Sequence, residues 1–292
     1  MFEIKRYDPS HEQAWNDFVA RSKNGTFLFD RRFMDYHSDR FADSSLMILR
    51  KGRIYALLPA NRVGDTLHSH QGLTYGGLLT DAKATAEGVM EAFGTLNAWL
   101  RNEGVRRLPA EEDLYALTQV CHARLLTREI SSTILLQQPL RFTESRKSGL
   151  RKALREGLYM EESGDLAAFW QMLDDNLASR HQLRLLQGRF PQQIHLYLIY
   201  NKEKEPVGGT WVFDTGQVVH TQYIASTKEG KAHGALDLLF DELINRRYRE
   251  GIYLDFGKST EEGGRVLNEH LIFQKEGFGG RGVCYDTYEW EP

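Results

Sequence analysis

The predicted order of strands and helices occurs twice along the chain, and this repeat constrains the fold more than any other feature. In the first half, two strands within 53–70 precede an amphipathic helix at 85–102. In the second half, two strands within 207–225 precede a helix at 233–250. Each helix is followed by a glycine and a short strand. The pattern predicts a tandem duplication of one β-β-β-α-β unit, with coincidence in an ordinary alternating α/β chain as the alternative.

The length supports the same organisation, since 292 residues correspond to two domains of about 150 residues each. We predict an α/β fold with mixed sheets and two tandem domains, 1–125 and 126–292. The boundary should fall near Cys121–Glu129, where the first repeat ends.

Composition excludes several classes of protein. The 37 Lys and Arg balance 40 Asp and Glu, for a net charge of −3, which argues against a DNA-binding protein. Two cysteines cannot build a disulfide framework or a four-thiolate zinc site, and Cys284, within a strand, is expected to be buried. His68 and His70 share a strand face without further ligands at a telling spacing, so no metal is predicted.

The N-terminus lacks the layout of a signal peptide, and no apolar run approaches the roughly 20 residues that a transmembrane helix needs. We therefore expect no transmembrane segment and a cytoplasmic location.

A strand, a glycine-containing loop and a helix follow one another over 220–237. Glycines allow backbone N–H groups to approach a ligand, and a helix N-terminus favours an anion. Gly230 and Gly234 stand four residues apart there, and Lys228 and Lys231 add positive charge. The segment suits a pyrophosphate, while an ordinary strand–helix connection is the alternative.

A basic helix is predicted at 145–155. Lys147, Arg151 and Arg155 recur every fourth residue and so share one face. That face could bind the phosphates of CoA, of a nucleotide-linked sugar or of a tRNA acceptor end, or it could simply be solvated.

Four stretches together carry a resemblance to a known family. They are Asp255-Phe-Gly-Lys-Ser-Thr after a strand, Lys275-Glu-Gly-Phe-Gly-Gly near the end, the basic helix at 145–155, and Ser69-His-Gln-Gly-Leu-Thr-Tyr-Gly-Gly in the first half. With the strand–loop–helix segment, they resemble the GNAT acyltransferases, and most closely the FemAB-like branch with two tandem GNAT-type domains.

The resemblance implies an N-acyltransferase that moves an acyl group, expected to be acetyl, from acyl-CoA to a primary amine of a small molecule, peptide or sugar. The amine would attack directly, which agrees with the lack of a G-x-S-x-G nucleophile motif. The donor would lie in the second domain, and the first would shape the acceptor pocket. The implied donor-binding residues are Tyr223, Ile224, Ala225, Lys228, Gly230, Lys231, Gly234 and Ala235.

The catalytic groups depart from the family pattern. Phe273 stands where many GNAT enzymes carry a tyrosine acid, so that role is vacant or moves to Tyr285 or Tyr288. Lys275 matches a lysine of FemAB transferases and could stabilise a tetrahedral intermediate or a donor phosphate, or be a solvated helix-end residue. Asp255 could accept the proton of the attacking amine or could hold a turn. The predicted acceptor contacts are His70, Tyr75, Lys258 and Ser259.

Two other functions stay open. One is a FemAB-type transferase that uses aminoacyl-tRNA to extend a peptidoglycan precursor, and the other is a ligand-binding relative without catalysis. The chain also looks short against the family pattern after Leu108 and at Gln182, where loops beside a cleft could be missing.

Overall fold

The computed structural model describes residues 1–110, 114–173 and 180–292. They form two compact units: unit 1 is Met1–Arg128 with Asp286–Pro292, and unit 2 is Glu129–Tyr285. The predicted second domain includes the last seven residues, whereas by their contacts these residues cluster with unit 1. Residues 111–113, which follow the shortening expected after Leu108, lie outside the described residues, whereas Gln182 falls within a helix at Arg180–Arg189.

Unit 1 combines a four-stranded antiparallel sheet, of order β1-β2-β3-β6, with a two-stranded sheet of β4 and β5. Its elements are β1 Phe2–Arg6, α1 Glu12–Arg21, α2 Arg31–Met34, β2 Leu46–Arg50, β3 Arg53–Leu58, β4 Ala60–Val63, β5 Thr66–Ser69, β6 Leu79–Thr80, α3 Ala86–Asn102, β7 Leu108–Ala110, α4 Leu114–Val120 and the start of β8 Arg124–Leu135.

Helix α3 supplies much of the core of unit 1. The Thr85 hydroxyl accepts a hydrogen bond from the Gly88 N–H at 3.2 Å and so begins the helix. Val89, Phe93 and the following apolar residues at helical spacing are buried, as their period predicts.

Unit 2 is built on one mixed sheet with strand order β16-β8-β13-β12-β11-β10-β9. Its further elements are α5 Glu144–Glu156, β9 Tyr159–Glu162, α6 Leu166–Met172, α7 Arg180–Arg189, β10 Ile194–Tyr200, β11 Pro206–Asp214, β12 Val218–Ser226, α8 Lys228–His233, α9 Ala235–Glu242, β13 Tyr253–Lys258, β14 Thr260–Glu261, β15 Val266–Leu267, α10 Glu269–Glu276 and β16 Arg281–Trp290.

Aromatic rings fill the core between this sheet and its helices. The ring centroid of Phe240 on α9 lies 4.8 Å from that of Phe256 on β13 and 5.0 Å from that of Phe278 after α10. All three side chains are buried. Their packing holds α9 and α10 against the strands that carry the candidate site.

Several sequence predictions differ from the structure. The single strand expected at 53–62 breaks at Pro59, which has no N–H to donate to a ladder. The strand expected at 73–79 is reduced to β6 at Leu79–Thr80. The sequence after β12 also predicts a polar loop at 226–231. This prediction is wrong, because residues 228–233 form helix α8. The burial expected for Cys284 is also wrong, since this thiol lies on an exposed stretch of β16.

None of the helices in the described ranges is long and apolar enough to cross a membrane.

Candidate active site

Two parallel strands of unit 2 separate and form a fork. Strand β12 pairs with β13 through Val218↔Tyr253, Val219↔Leu254 and His220↔Asp255. Past that last pair β12 continues to Ser226 and β13 to Lys258, with no further registered pair between them in the described residues. The register of β12 against β11 also shifts near this point, between Trp211 and Val212. Backbone groups of β12 that face the fork therefore lack a neighbouring strand.

A cavity of about 290 Å³ lies at the fork. Its walls come from β12, β13 and the helices α6, α8, α9 and α10. Most of the lining is apolar, and its polar members are Ser226, Lys231, Gln274 and Lys275. An apolar cleft with a few polar groups is typical of a small-ligand site.

The three predicted donor-strand residues differ in their placement. Ile224 and Ala225 line the cavity. Tyr223 is not among the lining residues, and its ring centroid lies 6.1 Å from that of Trp170. Ile224 and Ala225 thus stand where the predicted donor would pass, while Tyr223 packs against α6.

Helix α8 stands where the sequence predicts a glycine-containing loop that would bind the pyrophosphate. The hydroxyl of Thr227 accepts from the Gly230 N–H at 3.0 Å, and the Thr227 carbonyl accepts from the Lys231 N–H at 2.9 Å. The Gly234 N–H donates to the Gly230 carbonyl. Several amides expected to face a phosphate are therefore satisfied within the helix. Lys228 and Lys231 are exposed, and Lys231 lines the cavity.

Both glycines of this segment are required by backbone packing. A Cβ at Gly230 would lie 1.9 Å from the Val207 carbonyl oxygen. Gly234 has φ +76°, and a Cβ there would lie 2.4 Å from the carbonyl oxygen of Gly149 on α5. Ala235 follows it, fully buried at the start of α9. Close packing thus gives these glycines a role that does not depend on a ligand.

We expect Gly230→Ala to lower the free energy of unfolding by about 2 kcal/mol, because the new methyl group would collide with backbone that cannot rotate away. Urea unfolding monitored by fluorescence measures the change. Gly164→Ala is the matched control, since a Cβ there meets nothing within 4 Å, and its effect should stay within about 0.5 kcal/mol. Unchanged stability of Gly230→Ala, with loss of donor affinity only, would contradict the packing role.

Asp255 is held by four hydrogen-bond donors. Its Oδ1 accepts from Ser131 Oγ at 2.5 Å and Thr133 Oγ1 at 2.9 Å, and its Oδ2 accepts from His220 Nδ1 at 2.6 Å and the Gly257 N–H at 3.2 Å. The residue is only 1% exposed. Burial raises the pKa of Asp255, but the bonds and charge of its partners outweigh burial and hold the pKa below 3.8. This geometry suits a fixed anion better than the proton acceptor that the sequence predicts.

His220 is the residue that sequence reasoning missed. It lies on β12 at the last paired position of the fork, directly opposite Asp255. Its side chain is partly exposed, at 19%. A histidine and an aspartate 35 positions apart carry no local signal, and only the register of β12 against β13 brings them together.

Lys275 is buried, 4% exposed, and lines the cavity. Its Nζ donates to the carbonyl oxygens of Gly257 and Lys258, both at 2.8 Å, and to Ser259 Oγ at 2.9 Å. All three ammonium hydrogens therefore have protein acceptors. Burial lowers the pKa of Lys275 to about 8, against the opposing charge of Asp255. The geometry indicates that Lys275 positions the end of β13, and its predicted catalytic role stays a prediction.

The other predicted residues of unit 2 do not line the cavity at the fork. Lys258 forms an ion pair with Glu129, and buried Ser259 accepts from Lys275. Tyr285 is on β16, which β8 separates from β13, so about 10 Å of sheet lies between them. Phe273 is 67% exposed on α10.

His70 and Tyr75 occur together in unit 1. The ring nitrogens of buried His70 face the carbonyl oxygens of Tyr75 at 2.5 Å and Leu28 at 3.0 Å. The Tyr75 hydroxyl is 2.7 Å from Thr26 Oγ1. His70 also lines a cavity of about 40 Å³ with Arg31 and neighbouring residues. Acceptor binding by His70 and Tyr75 stays a prediction. No group of three or more His, Cys, Asp or Glu within the described ranges could hold a metal ion.

The basic helix is present as α5, which packs on α9. Lys147, Arg151 and Arg155 are exposed, as their shared face predicts. Lys147 Nζ lies 2.8 Å from Glu144, at the start of the same helix. Arg146 instead turns inward, with Nη1 3.0 Å from Asp237 Oδ1.

Comparison with known proteins agrees with this architecture. Residues 146–263 match the family described as Acetyltransferase (GNAT) domain. No curated protein matches the chain significantly in sequence.

Three solved structures are similar along nearly the whole chain. FemX has TM-score 0.67 and 11% identity, covering 99% of this chain and 97% of its own. L-PGS from Bacillus licheniformis has TM-score 0.62 and 14% identity, covering 97% and 91%. A tandem GNAT protein from the clavulanic acid biosynthesis pathway has TM-score 0.55 and 14% identity, covering 100% and 98%. Identities this low show a shared fold, and the predicted α/β class with GNAT-type architecture is confirmed. Residues 146–263 therefore carry a GNAT acetyltransferase domain, and the chain as a whole shares the fold of these three structures.

Proposed function

We propose that the chain transfers an acyl group, expected to be acetyl, from acyl-CoA to a primary amine by direct attack. The observation that carries the proposal is the fork, where β12 and β13 separate after three pairs and open onto a cavity of about 290 Å³. The unpaired edge of β12 offers backbone N–H and C=O groups that need partners. The amides of a pantetheine arm can supply these partners along Ile224–Ser226, as a neighbouring strand would.

Charge near the cavity supports a donor with phosphates. Lys231 lines the cavity and Lys228 lies one turn away on α8, both exposed. Exposed ammonium groups on flexible side chains can bind a pyrophosphate. They can do so even though several backbone amides of α8 already donate within the helix. The acceptor remains a primary amine of a small molecule, peptide or sugar. Its predicted contacts His70, Tyr75, Lys258 and Ser259 and the acceptor-shaping role of the first domain stay proposals.

Aminoacyl-tRNA is the second candidate donor. Two observations favour it: the amides of α8 that would hold a pyrophosphate are largely satisfied, and α5 presents Lys147, Arg151 and Arg155 on one exposed face. A row of cations suits the phosphates of an acceptor stem. FemX and L-PGS share the fold, and that likeness alone does not choose between the donors.

Donor binding distinguishes the two. At 100 times its Kd, acetyl-CoA should raise the free energy of unfolding by about 2.7 kcal/mol if it binds only the folded chain. Lys231→Glu should reduce this stabilisation at fixed donor concentration. Lys204→Glu, the same charge change at an exposed position of the β10–β11 turn, should not.

Two results would contradict an acyl-CoA-dependent transferase. If acyl-CoA gives no stabilisation while tRNA binds with a steep salt dependence that Arg151→Ala reduces, the tRNA-dependent transferase replaces our proposal. If acyl-CoA binds but no amine ever consumes the thioester, the chain is a ligand-binding relative. A complex with a bound donor would report the position of the thioester directly.

A further inference from the structure

His220 and Asp255 form a dyad at the fork. Nδ1 of His220 lies 2.6 Å from Asp255 Oδ2. Nε2 has no hydrogen-bond partner among the residues that the structure describes. One ring nitrogen is therefore fixed by a buried carboxylate, and the other is available.

The carboxylate determines which nitrogen carries the proton. Asp255 receives four donors, and its pKa is held below 3.8, so it stays an anion at neutral pH. An anion accepts from Nδ1–H, which leaves Nε2 as an acceptor in the neutral ring. Ser131 and Thr133, both on β8, fix the carboxylate from its other side. This is the arrangement by which a carboxylate orients a general base.

The ring lies beside Gly257 on β13, past the last pair of the fork. A Cβ at Gly257 would be 3.4 Å from His220 Cε1, so the imidazole covers that glycine. The carbonyl of Gly257 accepts from Lys275, which lines the cavity. Gly257 thus stands between the imidazole and Lys275 of the cavity wall, at the point where the strands separate.

We propose that His220 is the general base of this enzyme and that Asp255 is its positioning residue. The proposal rests on the proposed function, since it needs an amine that attacks a donor held at the fork.

The step balances without another reactant. Nε2 of His220 takes one proton from the ammonium form of the acceptor, and the neutral amine nitrogen then attacks the acyl carbon and forms a C–N bond. The tetrahedral intermediate then breaks the bond to the donor sulfur, or to the ester oxygen of an aminoacyl donor. The leaving group takes the remaining proton of the attacking nitrogen, the imidazolium releases its proton to water, and the ring returns to its neutral form.

The charged groups around the ring belong to β13, α10 and β8. Asp255 faces it from β13, and Lys275 reaches the Gly257 carbonyl from α10. Lys258, next along β13, is paired with Glu129. Strand β11 contributes the uncharged Phe213, which is the registered neighbour of His220.

The decisive variant is His220→Asn. Its side-chain amide can still donate to Asp255, but it has no basic nitrogen. With any amine and donor pair that the wild type turns over, we expect kcat/KM to fall about 100-fold at pH 7. The deficit should shrink as the pH approaches the pKa of the acceptor amine, because the amine then arrives already deprotonated. A deficit that is the same at every pH, or no deficit, would overturn the proposal.

His195→Asn is the matched control. His195 also lies on a strand of unit 2 with Nδ1 paired to a carboxylate, Glu162 at 2.7 Å, but it is on β10, two strands from β12. Its replacement should leave kcat/KM and its pH profile unchanged.

A measurement without turnover separates this inference from the proposed function. Long-range ¹H–¹⁵N NMR of the free protein should show His220 as the Nδ1–H tautomer, and Asp255→Asn should disturb that state. The Nε2–H tautomer would refute the dyad whatever the donor is. If the tautomer is as expected but the wild type acylates no amine, the proposed function fails instead.

Discussion

Asp255→Ala is expected to lower the free energy of unfolding of the second unit by about 4 kcal/mol. The substitution leaves four donors without their acceptor, on Ser131, Thr133, His220 and Gly257. Each buried group left unsatisfied costs about 1–3 kcal/mol, and partial access of water to His220 reduces the sum. Hydrogen exchange at the amides of β12 and β13, followed by mass spectrometry, measures the loss where it should occur.

Single-donor variants give the matched controls. Ser131→Ala and Thr133→Ala each remove one partner and keep the carboxylate, so each should cost about 1 kcal/mol. If Asp255→Ala costs no more than either of them, the four bonds do not act together, and the carboxylate does not organise this part of the sheet.

The acid dependence provides a second readout of the same network. Because the pKa of Asp255 is lower in the folded chain than in the unfolded chain, its ionised form stabilises the fold above pH 3.8. That contribution decreases as the pH falls through the folded pKa. The stability difference between wild type and Asp255→Asn should therefore be constant above about pH 5 and shrink below pH 4. A difference that grows on acidification would reverse the assigned direction.

Periodicity alone predicts elements of both units. Strands at 194–200 and 281–290 follow from alternation or apolar runs, and both occur with those bounds. The helix at 85–102 follows from its apolar stripe, and the structure has it at Ala86–Asn102 with Thr85 as the N-cap. These elements are visible because the pattern that identifies each one lies within a single short window.

Helix α8 was missed although its signal is local. Thr227 followed by Lys228 and Glu229 is a helix start, with a hydroxyl at the N-cap and an acidic residue in the first turn. The glycines at 230 and 234 instead favour a ligand-binding loop. Their real constraint comes from Val207 and Gly149, on elements that the sequence cannot place beside them.

The candidate site depends on register, which the sequence does not encode in any one place. Asp255 and Lys275 were singled out by resemblance, and the structure brings both to Gly257, one through its N–H and the other through its carbonyl. His220 joins them only because β12 and β13 pair at that position. Lys275 has the sequence context of a solvated helix end, but the structure buries it and gives its ammonium three acceptor oxygens at 257–259.

Asp237 should behave oppositely to Asp255. It lies in the first turn of α9, packed beside Gly149 of α5, and burial raises its pKa from 3.8 to about 6 despite the opposing charge of Arg146. The ion pair with Arg146 leaves Oδ1 without a well-aligned donor. Because the folded chain holds this proton more tightly than the unfolded chain, stability from Asp237 is complete below pH 3.8 and lost as the pH rises to about 6.

We therefore expect Asp237→Asn to stabilise the chain at pH 8 by about 2 kcal/mol. This figure is the free energy of a pKa shift of about two units, reduced for partial solvent screening. The gain should vanish by pH 4, where the wild-type carboxyl is protonated. Urea unfolding at pH 4, 6 and 8 measures it. Asp241→Asn, an exchange of the same kind four residues later on α9, should give no such gain. Loss of stability in Asp237→Asn at pH 8 would mean that the Arg146 pair outweighs the cost of burying this charge.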